Sequence, residues 1–472
     1  MNIGSVYLRG IGIFYLCAIF SCGTGGNGGR DSFTDIIDND VNFDGLEEND
    51  GLAQDTLDNF EENTSIVCNG NCHFVREGAT GRGDGSDWEN AWTSLPDRLQ
   101  RGHVYFIAGG MYPGKEFDDP EDGTKTITII KATSANHECT STAGWKDEYG
   151  SIPAVMPFIG FTTGFYIFDG VTGSGKEGYG FEIYDDSPAD ANINLIIFNQ
   201  NVTDISIMGT EIHRPSREHK GIGVYATLGG NKNILFSRCY VHDMFGVHFY
   251  LVDAENVVIE NSVMEANQPS SEFFMESIQA GNLKGLVVRN SWFEEIFGTG
   301  VIVNESGSSS EWKIYGNVFR GCNCSRGLIT DTSGSSISNC LIYNNTFVDN
   351  QTLSGLRFNG NAGGNYARNN IFYNSSMIVI EGIDYNYNYY SNSTFPYEFT
   401  PADNEPPKDE SLTHSSITID PFINSSTYDY HLVGPLEGYP GIVLSPPFDV
   451  DPDGKVRGSD GVWDRGAYEY SI

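Results

Sequence analysis

The chain has 472 residues, of which 39% are hydrophobic and 13% aromatic, and its formal net charge at pH 7 is -36. This length and apolar content can bury a large core, either as two or three ordinary domains or as one repeat array. The negative charge argues against nucleic acid or an anionic lipid surface as a direct partner, because both need a cationic protein surface.

The first 22 residues predict export. One basic residue, Arg9, precedes a short apolar run that ends at Cys22. The run is too short and too early for a spanning helix and indicates a secretory signal peptide. The sequence Ile19-Phe20-Ser21-Cys22 with glycines after it resembles a bacterial lipobox, which predicts lipidation of Cys22; an ordinary signal peptide is the alternative. We expect a lipoprotein of the bacterial cell envelope or surface, or otherwise a secreted protein, that meets the membrane only through this anchor.

Residues 23–66 are predicted to be a flexible tether. A Gly-rich spacer leads into the stretch from 31 to 62, which has twelve acidic residues and no basic one. Blocks of like charge with little apolar content do not form a packed core. An exported chain can form disulfides, and the spacing in "CNGNC" predicts a local bridge between Cys68 and Cys72.

The central part of the chain repeats itself at intervals of 23 to 29 residues. The repeats alternate apolar and polar residues, which is typical of strands, and most are followed by a turn and a second short strand. A coil of this length with two or three strands predicts an all-β fold, a parallel β-helix, in which inward residues of each coil contact those above and below. The repeats share a small or amide residue at Thr210, Cys239, Ser262, Ser291, Asn317, Asn345 and Asn370.

Three stretches of the chain have a recognisable pattern. They are the opening "FVREGATGRGDGSDWENAWTSL" with "GHVYFIAGGMYPG" (74–114), the recurring N-N-x-F type coils, and the ending "DVDPDGKVRGSDGVWDRGAYEY" (449–470). Together they resemble right-handed parallel β-helix proteins of the pectate-lyase-like superfamily, in which the ending is similar to a terminal coil. The resemblance implies one β-helix domain over 67–472, with an opening region to about 190, regular coils to about 390, and C-terminal coils and a cap from about 391. It implies no particular reaction, because this architecture serves lyases, hydrolases, epimerases and adhesins.

Two columns of outward residues are predicted to hold the chemistry. In a β-helix, one position per coil forms a column whose members lie about 4.8 Å apart. The position that closes each repeat forms the first column: His213, His242, Glu265, Glu294, Arg320, Val348 and Tyr373. The strand after the turn supplies the second column, with Tyr225, His248 and Arg357 predicted to point outward, while the direction of Glu276 stays open.

The segment from 212 to 250 has five basic residues against two acidic ones and four of the nine histidines. A locally basic surface suits an acidic glycan, because a substrate responds to the field at the groove rather than to net charge. We therefore predict a polysaccharide as the partner of a monomeric protein, with no nucleic acid partner.

The reaction that best fits these residues is β-elimination on a uronic-acid polysaccharide. It must neutralise the sugar carboxylate, remove the neighbouring proton and protonate the leaving oxygen. The carboxylate would be neutralised by Arg320, Arg357 or a Ca²⁺ ion held by Glu265, Glu276 and Glu294. The base would be His242 or His248, and the acid Tyr225, Tyr250 or the other histidine. Substrate binding would also use His213, Tyr225, Tyr250 and Arg357.

Two other functions remain open. A glycoside hydrolase could use Glu265 and Glu294, which one coil of separation puts roughly 5 Å apart, as expected for a retaining pair of carboxylates. A glycan-binding or surface-structural protein without catalysis is the third possibility, because the outward corners of any solenoid are polar.

Overall fold

The computed structural model describes residues 70–139, 141–265, 275–352, 355–359, 362–375, 380–393, 419–436 and 439–470. The predicted signal peptide, Cys22, the tether and Cys68 lie outside the described residues and stay predictions. Among the described residues the helical elements are two short 3₁₀ turns, Asp147–Tyr149 and Ser425–Thr427. No helix in these ranges is long and apolar enough to span a membrane.

In the part of the chain that the structure describes, equivalent strands of successive coils stack in parallel on three main faces, which we call sheets 1, 2 and 3; sheets 1 and 2 are joined by two long strands. Sheet 1 contains Cys72–Val75, Val104–Ile107, Ile127–Lys131, Tyr166–Asp169, the first parts of Thr203–His213 and Asn231–His242, Ala254–Glu260, Lys284–Arg289, Lys313–Tyr315, Leu341–Tyr343, Tyr366–Arg368 and Asp384–Asn386. The strands Ser308–Ser310 and Ser336–Ser338 extend it.

Sheet 2 follows sheet 1 in each coil, and the two long strands Thr203–His213 and Asn231–His242 run through both sheets. Its members are Gly110–Met111, Ala154–Met156, Phe181–Tyr184, the second parts of the long strands, Val263–Glu265, Trp292–Glu294, Val318–Arg320, Thr346–Val348, Ile371–Tyr373 and Tyr389–Ser391.

Sheet 3 closes the coil and has ten strands within the described ranges. They are Lys115–Phe117, Ile159–Phe161, Ile193–Phe198, Gly221–Ala226, Phe249–Val252, Ile278–Gly281, Ile302–Ser306, Ile329–Asp331, Leu356–Arg357 and Ile380–Glu381. A small parallel sheet of Phe297–Gly298, Asn323–Cys324 and Gln351–Thr352 lies in the connections between sheets 2 and 3. The predicted all-β parallel β-helix is therefore confirmed.

Inward residues stack along the coil axis and form one continuous core. In sheet 2 the rings of Phe293, Phe319, Phe347 and Phe372 stack with centroids 4.6 to 4.8 Å apart. This spacing equals the distance between hydrogen-bonded strands, so a large inward ring in one coil meets its equivalent in the next. Burial of these apolar side chains is the main stabilising term for each coil.

The small and amide residues shared by the repeats lie at the turn from sheet 1 to sheet 2 and form a buried hydrogen-bonded ladder. Oδ1 of Asn345 accepts hydrogen bonds from the backbone N–H and Nδ2 of Asn317, at 3.1 and 3.0 Å. Nδ2 of Asn345 donates to the carbonyl of Ile314 at 2.8 Å. The ladder continues through Asn370 to Asn388, one coil further than the sequence pattern indicated.

Residues 419–436 and 439–470, which we call the cover segment, are not a further coil. They contain the antiparallel strands Phe422–Asn424 and Asp429–Leu432. Their apolar side chains pack on outward residues of sheet 2 in a cluster of Val318, Val348, Ile371, Tyr389, Phe422, Tyr430, Leu432, Ala467 and Tyr468. These apolar residues fill the outer face of sheet 2 rather than the coil interior, so the ending at 449–470 does not add a terminal coil. The predicted division into C-terminal coils and a cap from about 391 stays a prediction.

Cys72 is disulfide-bonded to Cys139, so the predicted local bridge to Cys68 is wrong. Cys72 begins the first strand of sheet 1, and its partner lies 67 residues later in the chain, so the bond ties down a long connection. The remaining described cysteines, Cys239, Cys322, Cys324 and Cys340, are free and buried.

Candidate functional site

The first predicted column lies on the outer face of sheet 2. The register pairs His213 with His242, Glu265 with Glu294, and Glu294 with Arg320. Pairing of Val241 with Met264 brings the following residues, His242 and Glu265, to the same level. The register prediction is confirmed for this column, which we call the acid–histidine row.

Glu265 and Glu294 are already paired with cations. Nζ of Lys176, from the connection between two strands of the opening coils, lies 2.9 Å from a carboxylate oxygen of each glutamate. Arg320 donates to Glu294 at 2.8 Å, and Tyr240 donates to Glu265 at 2.5 Å. Burial alone would raise the pKa of Glu265, but the hydrogen bonds from Tyr240 and Lys176 outweigh it and lower that pKa. A calcium ion or a nucleophilic role would therefore require displacement of these partners.

The two histidines of the row repeat one arrangement in successive coils. Nε2 of His213 lies 3.0 Å from Oε1 of Glu182, and Nε2 of His242 lies 3.0 Å from Oε1 of Glu211. Nδ1 of His242 also lies 3.0 Å from Asp243. Burial would lower the pKa of His242, but its bonds to Asp243 and Glu211 raise it instead. The fold thus favours the protonated imidazolium, the reverse of what a general base needs.

His248 and Glu276 lie away from this row, at the start of strands of sheet 3, and both are fully buried. The predicted outward direction of His248 is wrong: it precedes Phe249–Val252 in the corner, and Nδ1 contacts Ser277 at 3.1 Å. Burial and then the charge of His242 lower the pKa of His248 to about 3. The predicted calcium ligands Glu265, Glu276 and Glu294 do not lie close enough together to hold one metal ion. Among the described residues, the group that does is Glu211, His213 and His242.

The second column lies on the outer face of sheet 3. Tyr225 pairs with Tyr250, and Thr330 pairs with Arg357, so the predicted positions of Tyr225 and Arg357 are confirmed. Gln279 joins them between these pairs. The rings of Tyr225 and Tyr250 meet edge to face with centroids 6.0 Å apart.

Glu305 is a titratable residue of this face that the sequence did not indicate. Its strand pairs Asn304 with Ala280 and Ser306 with Gly281, so Glu305 is the extra residue of a β-bulge. Bulges redirect a side chain and often lie next to active sites. A bulge adds one residue to a strand. The repeat intervals already vary from 23 to 29 residues, so one extra residue leaves no recognisable mark in the sequence pattern.

Glu305 is partly exposed, and Oε2 accepts a hydrogen bond from Nε2 of Gln279 at 2.7 Å. Burial, and then the nearby carboxyl of Glu276, raise the pKa of Glu305 to about 7. Burial also raises the pKa of Glu276, whose Oε1 accepts the backbone N–H of Thr299 at 3.0 Å. Oε2 of Glu276 is buried without a hydrogen-bond partner among the described residues.

Tyr250 completes this group. Burial, and then the charges of Glu305 and Tyr225, raise its pKa. We call Tyr250, Glu276, Gln279 and Glu305 the Glu305 cluster. Perturbed acids that converge on a concave or corner surface are typical of functional sites.

The predicted basic surface over 212–250 is largely neutralised. Arg214 is buried in an ion pair with Asp185, and Lys232 lies 2.7 Å from Glu255. Arg217 has a carboxylate on either side. Counting basic residues overestimated the positive field, because most of the carboxylates that pair with them, such as Asp185, Glu255 and Glu295, lie outside that segment.

One of the comparisons with known proteins, the match to a family model, agrees with the fold. A family model described as right handed beta helix region matches residues 161–319, which gives the hand of the coil. No curated protein matches the sequence. Among solved structures, the A-module of a mannuronan C-5 epimerase of Azotobacter vinelandii is 14% identical, with 62% of this chain and 91% of that chain covered and a TM-score of 0.22. The ORF18 protein of Geobacillus virus E2 is also 14% identical, with 62% and 54% covered and a TM-score of 0.20.

Proposed function

We propose that this protein acts on a polysaccharide and that the outer face of sheet 3 carries out β-elimination on an acidic glycan. The observation that supports this most directly is Glu305, a partly exposed carboxyl with a pKa of about 7. A group with a pKa near the working pH exchanges protons with a substrate most effectively, since both of its forms are populated.

Glu305 is the base in this proposal and removes the proton next to the sugar carboxylate. Tyr250, two coils before it, donates a proton to the leaving oxygen as the bond to that oxygen breaks. Arg357, two coils after it, neutralises the carboxylate, which makes the neighbouring proton more acidic. Two coils correspond to about 10 Å of sheet, so these side chains line a strip suited to a chain-like substrate.

Hydrolysis is less well supported, because it needs two carboxyl groups that both reach the glycosidic bond. The carboxyl whose charge acts on Glu305 is that of Glu276, which is fully buried. Glu265 and Glu294 on the other face are held by Lys176 and Arg320. Elimination requires one accessible carboxyl together with a proton donor and a cation, and the outer face of sheet 3 has that composition.

The proposed location is the exported side of a bacterial cell envelope, with the chain held by a lipid at Cys22. The disulfide between Cys72 and Cys139 supports an oxidising compartment, where such bonds form and persist.

The test is to incubate the purified protein with acidic and neutral polysaccharides and to follow the ultraviolet absorbance of unsaturated uronate. We expect absorbance with at least one acidic glycan and its loss in Glu305→Gln. The matched control is Glu116→Gln, because Glu116 lies in the same outward column at its other end, paired with Gly160. That variant should retain activity.

Each other outcome overturns part of the proposal. New reducing ends without ultraviolet absorbance would replace elimination by hydrolysis. Binding without any product would indicate a non-catalytic glycan receptor. Equal activity of Glu305→Gln and the native protein would remove the reaction from sheet 3. A parallel series with chelator tests the calcium prediction, which fails if the rate is unchanged.

A further inference from the structure

The acid–histidine row ends in two histidines that the proposed reaction does not use. We propose that Glu211, His213 and His242 bind a divalent cation of the zinc class on the outer face of sheet 2. This site is separate from the Glu305 cluster, and neither depends on the other.

The coil geometry brings the three ligands together. His213 and His242 pair across adjacent strands, and their rings are nearly parallel, with an angle of 8° and centroids 4.6 Å apart. One ligand atom from each of Glu211, His213 and His242 lies within 4.8 Å of the others. Zinc–ligand bonds of about 2.0–2.2 Å to nitrogen and oxygen place the ligand atoms of one ion at slightly smaller separations, so small side-chain rotations suffice.

Both imidazoles are oriented as metal ligands are. Nδ1 of His213 lies 3.1 Å from the carbonyl oxygen of Arg214, and Nδ1 of His242 lies 3.0 Å from Oδ2 of Asp243. A metal-binding histidine commonly donates its second ring N–H to a carbonyl or carboxylate, which fixes the tautomer. The other ring nitrogen, Nε2, then faces a carboxylate: that of Glu182 for His213 and that of Glu211 for His242. A bound cation would replace the protons that these nitrogen–carboxylate contacts now share.

The donor set selects the class of cation. Two imidazole nitrogens with a carboxylate suit Zn²⁺ and neighbouring transition metals, whereas Ca²⁺ and Mg²⁺ prefer oxygen ligands alone. Glu182, in contact with His213, is the nearest candidate for a fourth ligand. The acids at the other end of the row do not compete, because Lys176 and Arg320 neutralise them.

A rival explanation is that these contacts are only imidazolium–carboxylate pairs that stabilise the coil. His431 makes such a pair on the cover segment, between Asp429 and Asp453, with one imidazole and therefore no pair of nitrogen ligands. The two explanations differ in whether the His213 and His242 pair takes up metal in solution.

The experiment uses the full chain without a histidine tag, stripped with chelator and titrated with Zn²⁺ and, separately, with Co²⁺, whose visible absorption reports its coordination. We expect about one equivalent of tightly bound metal and a low-symmetry Co²⁺ spectrum. His242→Gln should abolish both, whereas His431→Gln should retain both.

Asp243→Asn tests the orienting contact without removing a ligand. We expect Zn²⁺ affinity to fall about 10- to 100-fold. The matched control is Glu295→Asn. Asp243 and Glu295 both contact Arg217, and both have positive φ angles, 47° and 53°, at which asparagine is well tolerated. The control should leave the affinity unchanged.

Absence of stoichiometric metal in the native chain would overturn the proposal, as would equal affinities in Asp243→Asn and Glu295→Asn. Retention of the Co²⁺ spectrum by His242→Gln would also overturn it. Circular dichroism checks that each variant is folded, and if His242→Gln is not, the pair of asparagine variants decides.

Discussion

Replacement of Glu305 by glutamine should make the protein more stable at alkaline pH and leave it unchanged at acid pH. The fold raises the pKa of this carboxyl from 4.5 to about 7. The folded state therefore holds the proton more tightly than the unfolded state does. The stabilisation that this bound proton gives the folded state is fully present below about pH 4.5 and is lost as the pH rises through about 7.

The size of the effect follows from the shift of about 2.5 pH units. At about 1.36 kcal/mol per unit, the native protein should lose about 3 kcal/mol between pH 4.5 and 8 through this group. Glutamine resembles the protonated carboxyl in shape and does not titrate. The free energy of unfolding of Glu305→Gln should thus match the native value near pH 4.5 and exceed it by about 3 kcal/mol at pH 8.

The assay is urea unfolding followed by tyrosine and tryptophan fluorescence at a series of pH values. Other acids that titrate in this range are common to both proteins and largely cancel in the difference. Glu218→Gln, a change at an exposed glutamate, is the control and should give a flat difference. A flat difference for Glu305→Gln would refute the reasoning, because the fold would then not hold the proton of Glu305. If Glu305→Gln gains stability and loses activity, the raised pKa of Glu305 lowers stability but serves catalysis, as is common for catalytic groups.

Three further predictions concern the scaffold. Asn345→Ala leaves two buried backbone groups without partners, including the N–H of Asn317, and should cost about 2–6 kcal/mol in urea unfolding; a loss below about 0.5 kcal/mol would contradict the ladder's role. Reduction of the Cys72–Cys139 bond releases a connection of 67 residues and should cost about 4 kcal/mol by chain entropy, which thermal unfolding with and without reductant measures; an unchanged midpoint would argue against this bond. Lys176→Met leaves two facing carboxylates without their shared cation and should cost about 1–2 kcal/mol at pH 7, with the loss fading in acid; a loss independent of pH would show that only packing changed.

The sequence predicted the repeating parts of the fold well. The ladder at Asn317, Asn345 and Asn370 and the row from His213 to Arg320 follow from a fixed coil length and the alternation of strand residues. Any residue that keeps the register of the repeat can be placed in this way, because successive coils superpose.

The parts that escaped prediction break the repeat. Glu305 lies in a bulge, His248 lies in a corner before its strand begins, and Lys176 reaches the row from a connection that belongs to no repeat. Cys139 lies in a similar long connection. Their positions depend on tertiary contacts between non-equivalent residues, and neither periodicity nor composition carries that information.

The cover segment sets an order in which the protein can be completed. Most contacts join neighbouring coils, but Trp292 meets Tyr430, and the backbone N–H of Ala467 donates to Thr346, 121 residues earlier. The coils can form one after another during synthesis, because their contacts are local. The apolar outward residues Val318 and Val348, however, are exposed to water until the cover segment has been synthesised and packs on them. That interval is the period in which the chain is most exposed to aggregation.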